Sequence, residues 1–585
     1  MSAMTQSGRR GLARIQRLFD ALADPARRER AAVAVLLGYV ALWTLYGTIA
    51  KGSQDIHADM SEQFALGREL ALGYPKHPPL TMAVVRAWFA VFPTADWAYY
   101  LLAMVNVGLA LWIVWRLTAR FLDGEKRVLG LVLLTLVPFF NFHGLKFNVN
   151  TVLLPLWAAT TLWFLRSFET RRLLDAALAG LGAAAAMYGK YWSVFLLLGL
   201  GIAALADRRR ATYFRSLAPW VTIAVGALAL APHAAWLIAN DFAPFSYAVV
   251  LHGAGSLAST IGAALGYLAG SVAYVAVPLL IVAVVARPSR AAVKDMAWPS
   301  SPARRLAAVA FWAVLLLPAL IAPLTGLRLV SLWSMSAFAL LPVMLLSSPL
   351  VAITRRDAVG VLALAVAFPF VMVAIAPAIA FAIHSSGPMP GSAHASLLAR
   401  PIEQLWRETT DRPLRIFSGF DEFTDGVTFY LPSHPLAVRV FDGIPSAAIE
   451  ERIARDGIAL LCPARSSVAA ADWCANAAIA RALFASRQRD GDRGVPPLPR
   501  RGRQARALSH HRHSAPAAAN TAGLAGAARR LHRAARHGGR VTAVLASVTA
   551  FCSGVCRLAT ERSNSAQARS NRASSSRFCA ASRKE

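Results

Sequence analysis

Residues 57–80 read HADMSEQFALGRELALGYPKHPPL and stand six residues after the apolar run 31–50. Asp59, Glu62 and Gln63 stand at i, i+3 and i+4. The apolar positions Met60, Phe64, Leu66, Leu70 and Leu72 predict a helix over 59–72, with Gly73 as its stop. On such a helix the two carboxylates and the amide share one face and can converge on one ligand. His77 is drawn out of the helical region because it precedes Pro78. The competing use of the same residues is a solvated amphipathic helix on a membrane surface. Deciding between them requires the elements around the stretch.

Those elements are apolar. Of 585 residues 56% are hydrophobic and 15 are Trp, with mean hydropathy +0.47, as in a polytopic membrane protein. Apolar runs and the loops between them give about eleven spans: 31–50, 97–119, 128–143, 150–166, 174–189, 191–206, 217–238, 259–285, 306–326, 330–348 and 358–383. Segment 78–92 is too short to span and suits an interfacial helix. Basic residues alternate from loop to loop: Arg116–Arg127, Arg166–Arg172, Arg208–Arg210, Arg287–Arg305 and Arg355–Arg356 fall on one side. The other side holds Lys51, Lys76, Lys146, Lys190, Arg328 and nearly all of the membrane-proximal acids. The positive-inside rule then places the basic N-terminus, 1–30, in the cytoplasm and the chain after 384 outside.

The net charge of +30 does not make this a nucleic-acid binder. From Arg487 onward there are 20 Lys and Arg against 4 Asp and Glu, so the tail supplies more than half of it, and much of the rest is the loop pattern. Residues 385–486 mix strand-like runs with Pro, Gly and Asp turns and a helical segment, SAAIEERIARDG, predicting a small α/β domain on the periplasmic side. Cys462 and Cys474 lie there and can pair in an oxidising compartment. Residues 487–585 are Arg, Ala, Gly, Pro, Ser and His without periodicity, predicting a disordered tail. Such composition is also what an out-of-frame reading of GC-rich DNA gives. The Gly/Ala run GLGAAAAMYGK is not a phosphate loop, because it sits in a span and lacks the glycine spacing; its small residues suit close helix packing. CSGVC has no second Cys pair and is weak as a metal motif.

Four motifs, in order, carry a resemblance: GYPKHPPL after D-x-x-E on the outer side of the first span, KFNVNTVLLPLWAATTLWFLRSF, MYGKYWSVFLL, and PHAAWLIANDFAPFSY. They resemble the bacterial branch of the protein O-mannosyltransferase superfamily, membrane glycosyltransferases of GT-C type that use polyprenyl-phosphate sugars. Lipid A aminoarabinose transferases and rhizobial lipopolysaccharide galacturonosyltransferases belong to the same broad group. The resemblance covers roughly residues 30–480 and implies a mainly α fold: a polytopic membrane helical bundle of GT-C type over 31–384, with a catalytic first outer loop, 51–96. The localisation it implies is the bacterial inner membrane.

The resemblance also implies roles. Between Asp55 and Asp59, counting back from GYPKHPPL selects Asp59 as the catalytic carboxylate. Glu62 is expected to support it, because Met60 stands where relatives carry a second acid. The leaving phosphate of the donor needs cations, for which Lys190 is the first choice, joined by Lys146, Arg328 and His77. Asn150, where relatives often carry Asp, is expected to bind substrate with Asp241 and Tyr74. Each has a structural alternative: Lys190 as a snorkelling lysine, His77 as packing beneath the prolines, Asp241 as a loop acid. No cofactor and no cluster of metal ligands is evident. The implied partners are the polyprenyl-phosphate sugar, a lipid A, glycan or protein acceptor, and membrane lipids. The C-terminal domain would cap the site or select the acceptor. A transporter or flippase of lipid-linked sugars is the reading from another class; it would place charges at the bilayer midplane, whereas here they gather at one face. The nucleotide sequence near codon 487 decides between an out-of-frame tail and a functional basic arm: the frameshift predicts an intact second frame continuing the α/β domain, and its absence excludes a frameshift.

Overall fold

The computed structural model describes residues 2–253, 256–386, 395–419, 421–438 and 447–461. The chain forms two units, Met1–His394 and Ala395–Glu585, each taken here by itself. Residues 487–585, Cys462 and Cys474 lie outside the described residues.

The first unit is all helix. An Arg-bearing helix α1 (Ser2–Ala23) leads into α2 (Arg28–Ala50), then the short α3 (Ala58–Gly67) and α4 (Leu80–Phe89). There follow α5 (Asp96–Thr118), α6 (Gly124–Thr135), α7 (Leu153–Thr170), α8 (Leu173–Gly189), α9 (Val194–Ala206), α10 (Arg210–Phe214) and α11 (Ala218–Ala239). The unit closes with α12 (Ala243–His252), α13 (Leu257–Tyr274), α14 (Ala276–Ala286), α15 (Arg290–Ala297), α16 (Pro302–Thr325), α17 (Leu341–Leu346) and α18 (Arg355–Ser385). Among the described residues six helices are long and apolar enough to cross a membrane: α2, α5, α11, α13, α16 and α18. The chain is a multi-pass membrane protein; of the other expected spans, 150–166 forms the continuous 18-residue α7, while the rest are shorter or broken.

The breaks have local causes. The expected span 128–143 stops at Thr135, and Pro138 opens a 3-10 turn, Pro138–Phe140. Proline cannot donate to a helix, and carbonyls freed there are taken by side chains: Tyr39 Oη donates to Phe140 O at 2.8 Å and Asn141 Nδ2 to Thr135 O at 3.0 Å. The expected span 259–285 divides at Val275, between α13 and α14. The expected span 330–348 is a 3-10 segment, Ser331–Leu340, followed by α17. The small residues of α8 do pack as expected. A Cβ on Gly180 would stand 2.5 Å from Thr222 O of α11, and one on Gly182 2.8 Å from Thr160 Oγ1 of α7.

One end of the bundle is stitched by ion pairs. Glu29 takes Arg127 at 3.0 Å and Arg116 at 3.4 Å, Asp175 takes Arg166 at 2.9 Å, Asp295 takes Arg304 at 2.6 Å, and Glu169 pairs with Arg120. This corrects the assignment of nearly all membrane-proximal acids to the other end. The basic loops carry acids too, because a guanidinium next to packed helices needs a partner.

Helix α3 also departs from expectation, ending at Gly67 rather than near Leu72. Gly67 abuts the next helix so closely that a Cβ there would be 2.9 Å from Met82 O. The last carbonyls are capped from outside: Arg86 Nη1 donates to Arg68 O at 2.6 Å and to Gly67 O at 3.3 Å. A cation at a helix C-terminus satisfies orphan carbonyls and matches the dipole. Residues 68–79 are thereby released as an irregular loop.

The second unit is α/β over its described residues, 395–461. A parallel sheet of order β2-β1-β3 is formed by β1 (Ile416–Gly419), β2 (Leu436–Ala437) and β3 (Ala459–Leu461). Helices α19 (Ala395–Thr409), α20 (Asp421–Tyr430) and α21 (Ala447–Asp456) accompany it. Its core gathers Trp406, Leu414, Phe417, Val427 and Leu431. Within the first unit, Arg86→Met is expected to cost about 1 kcal/mol through the lost cap of α3. Thermal unfolding in detergent measures this, and an unchanged melting temperature would remove the capping role.

Candidate active site

The site is built on a non-helical connection, 141–152, between the 3-10 turn and α7. Asn148 organises it. Its Oδ1 accepts from the backbone N–H of Asn150 at 2.9 Å and of Thr151 at 3.1 Å, while its own N–H donates to Thr151 Oγ1 at 2.9 Å. This is the short side-chain-to-backbone turn that Asn and Thr favour, and it lies just ahead of α7, whose own N-cap, Val152, has no side-chain cap. From α5, Asn106 Nδ2 donates to Thr151 O at 2.8 Å and anchors the turn from below. The remaining donor of the fixed Asn148 side chain, Nδ2, points to Asp59 Oδ2 at 2.7 Å.

Asp59 lies in the first turn of α3, behind the N-cap His57, whose Nδ1 accepts from Asp59 N at 3.1 Å. Tyr99 of α5 fixes the helix by donating to Met60 O at 2.7 Å. Lys146 Nζ stands 3.3 Å from Asp59 Oδ2. Burial works to raise the Asp59 pKa, but Lys146, His57 and the Asn148 amide outweigh it and hold the carboxyl below its usual value.

Lys190 enters from the C-terminus of α8. Its Nζ donates to Asn150 Oδ1 at 2.6 Å and lies 4.8 Å from the centre of the Trp333 ring. Burial lowers its pKa to about 8, against the pull of Asp59. One loop therefore holds the base candidate through Asn148 and the cation through Asn150, two residues apart.

Glu62 faces elsewhere. Lys76 Nζ reaches Glu62 Oε1 at 2.7 Å, and His77 Nε2 lies 3.6 Å from Oε2. Burial would raise this carboxyl, but His77 and Lys76 bring it down to about 2. Its side chain is 8% exposed, against 40% for Asp59. A substrate can reach Asp59; Glu62 is occupied in holding the HPPL loop against α3. The i, i+3 pair shares a helix face without sharing a ligand.

Tyr74 is buried and shapes the same loop, its Oη donating to Glu69 O at 2.7 Å and its N–H to His77 O at 3.0 Å. Arg328 is exposed and joins the neighbourhood through its backbone, donating to His252 O at 2.8 Å. Asp241 is exposed in left-handed backbone (φ 50°) after α11 and, among the described residues, makes no hydrogen bond or ion pair with the Asp59 group. The sequence reading overlooked Asn148, Lys76, His57 and Trp333. For Asn148 a signal was present: N-V-N-T before an apolar run has the spacing of a helix start. Trp333 carries no comparable signal. Among the described residues no group of three or more His, Cys, Asp or Glu gathers as a metal site.

Residues 76–236 match the family described as dolichyl-phosphate-mannose-protein mannosyltransferase. That segment contains Lys76, His77, Lys146, Asn148, Asn150 and Lys190; Asp59 precedes it. The fold is similar to two crystal structures of ArnT from Cupriavidus metallidurans, over 74% of this chain and 93% of theirs. One, bound to undecaprenyl phosphate, gives a TM-score of 0.51 at 12% identity; the other, in the apo state, gives 0.50 at 14%. No curated protein matches this chain in sequence. The resemblance drawn from the motifs stands as a fold: this is a membrane helical bundle with the GT-C fold, and one segment of it matches the mannosyltransferase family model.

The Glu62 arrangement makes stability depend on pH. Its folded pKa lies below the ordinary 4.5, so its contribution is full above 4.5 and is lost as pH falls toward about 2. Glu62→Gln is expected to lower stability at neutral pH by an amount on the order of 3 kcal/mol. The gap to wild type should close between those two pH values in thermal melts; a gap independent of pH would mean that the charge of Glu62 does not stabilise the fold.

Proposed function

We propose that the chain is a glycosyltransferase that takes a sugar from a polyprenyl-phosphate donor and transfers it to an acceptor hydroxyl. The observation that carries the reading is the reachable carboxylate of Asp59 and the ammonium of Lys190 on one polar loop, bridged by Asn148 and Asn150. The donor phosphate binds at Lys190 and Lys146, with His77 nearby. The acceptor oxygen attacks the anomeric carbon, the bond from that carbon to the phosphate oxygen breaks, and the hydroxyl proton passes to Asp59. One displacement inverts the anomeric centre. The two lysines meet the charge left on the phosphate, where an oriented cation counts for more than in water.

The ion pair of Asp59 with Lys146 makes the carboxylate a weak base before donor binds. In this reading the arriving phosphate shares Lys146, loosens its hold on Asp59 and raises the carboxyl toward the range in which a base is effective. Asn150 orients the sugar or the phosphate through Lys190. We place the protein in the bacterial inner membrane with the site on the periplasmic side and the N-terminus in the cytoplasm, as the positive-inside rule directs. The acceptor class is lipid A, another glycan lipid or a protein.

The test is transfer from radiolabelled polyprenyl-phosphate sugars by purified protein. Asp59→Asn is expected to lose about 10²–10⁴-fold, and unchanged transfer would remove Asp59 as base. The pKa of Lys190, about 8, predicts an alkaline limb in kcat/KM near that pH, since the cation is lost above it. In Lys190→Arg the limb should disappear, because guanidinium stays charged; a limb that persists unmoved assigns it to another group.

A further inference from the structure

His233 is a histidine in the body of an apolar helix, α11, and is 1% exposed. Both ring nitrogens are engaged. Nδ1 lies 2.6 Å from Leu72 O and Nε2 lies 2.9 Å from Tyr191 Oη. A carbonyl oxygen can only accept, so Nδ1 carries the proton and donates to Leu72 O. In the neutral ring Nε2 then accepts from the Tyr191 hydroxyl. The two partners come from two different segments that carry candidate site residues. Leu72 is in the irregular loop 68–79 that carries Lys76 and His77. Tyr191 follows Lys190 directly in the 3-10 turn Tyr191–Ser193.

A second observation joins α11 to the same loop. The Trp236 ring stacks on His233 with centroids 5.8 Å apart and planes 7° apart, and it lies where Gly73 has no side chain. A Cβ on Gly73 would be 2.3 Å from Trp236 Cε3. Loop 68–79 has left helix geometry; Glu62 holds its later part through Lys76 and His77, while around the exposed Leu70 and Leu72 the attachments to α11 hold it.

We infer that His233 is a positioning residue: one imidazole fastens the first loop to the turn that holds Lys190 and so sets the Lys76–His77 segment against the cation. The consequence for transfer rests on the functional reading above, whereas the fastening itself does not. His233 makes no contact with the Asp59 group and acts through Leu72 and Tyr191.

Two isosteric variants separate this role from bulk packing. The side-chain amide nitrogen of Asn superposes on Nδ1, and that of Gln on Nε2. His233→Asn therefore keeps the donor to Leu72 O, and His233→Gln removes it. Hydrogen exchange of the amides in 69–77, in full-length protein in detergent, is expected to quicken in His233→Gln and in Gly73→Ala and to stay near wild type in His233→Asn. Transfer assays should give a loss in kcat of about 10²-fold for His233→Gln, the scale of a roughly 1 Å misplacement. The KM for the polyprenyl-phosphate donor should be little changed; His233→Asn keeps the Leu72 tie but cuts the one to Tyr191, so it is expected to lose kcat as well while the exchange of 69–77 stays near wild type. Wild-type exchange in His233→Gln, or equal exchange in the Asn and Gln variants, overturns the fastening. Quickened exchange with unchanged kcat overturns its importance for the reaction. If wild-type protein transfers no sugar, the functional reading fails, and the exchange data alone decide the fastening.

Discussion

A backbone that leaves the helix at the end of a membrane bundle must find partners for its N–H and C=O groups. In this protein Asn148 meets that constraint, and the candidate site depends on it. Its Oδ1 serves two backbone N–H groups, and its Nδ2 serves Asp59. A single amide thus closes the turn 148–151 ahead of α7 and aims the carboxylate. The loop can then present Asn150 to Lys190 without leaving its own polar groups unpaired. Remove the amide and both the turn and the carboxylate lose their reference point.

The carboxylates of α3 divide along the same line. Asp59 keeps an open side although Asn148 and Lys146 hold one of its oxygens; Glu62 is closed over by Lys76 and His77. A buried carboxylate close to an ammonium is a strong structural tie and a poor proton acceptor. The loop that supplies Lys76 and His77 is in turn tied to α11 through His233 and Gly73. The opposite end of the bundle meets its charges differently, with Arg–carboxylate pairs between helix ends such as Arg127–Glu29 and Arg304–Asp295. Those pairs bind helices together; Glu29 is as exposed as Asp59, but both of its oxygens are engaged, one by Arg127 and the other by Arg116 and Trp115.

The order of apolar runs, the placing of Lys and Arg between them and the density of ionisable groups in 57–80 determined by themselves that this is a polytopic membrane protein with polar chemistry beside its first span. These are one-dimensional properties: burial in lipid sets composition, and proline sets where a helix can start. The end of α3 was not legible, because the residue that caps it, Arg86, and the carbonyl that requires Gly67 belong to the next helix. Nor was the break of the expected span 128–143, whose freed carbonyls are held by Tyr39 from another helix.

Only the tertiary structure decided the pairing of the charges. Helical spacing states which side chains share a face; it does not state what lies opposite. Asp59 meets Asn148, 89 residues away in sequence, and Glu62 meets Lys76 across a loop, although the two acids are three positions apart. Lys190 was visible as a cation at a helix end, but its seat on Asn150 and Trp333 exists only because α8 and the 3-10 segment after α16 both pack on α7. The physical reason is that hydrogen bonds and ion pairs act over a few ångströms of space, and distance along the chain does not report that separation.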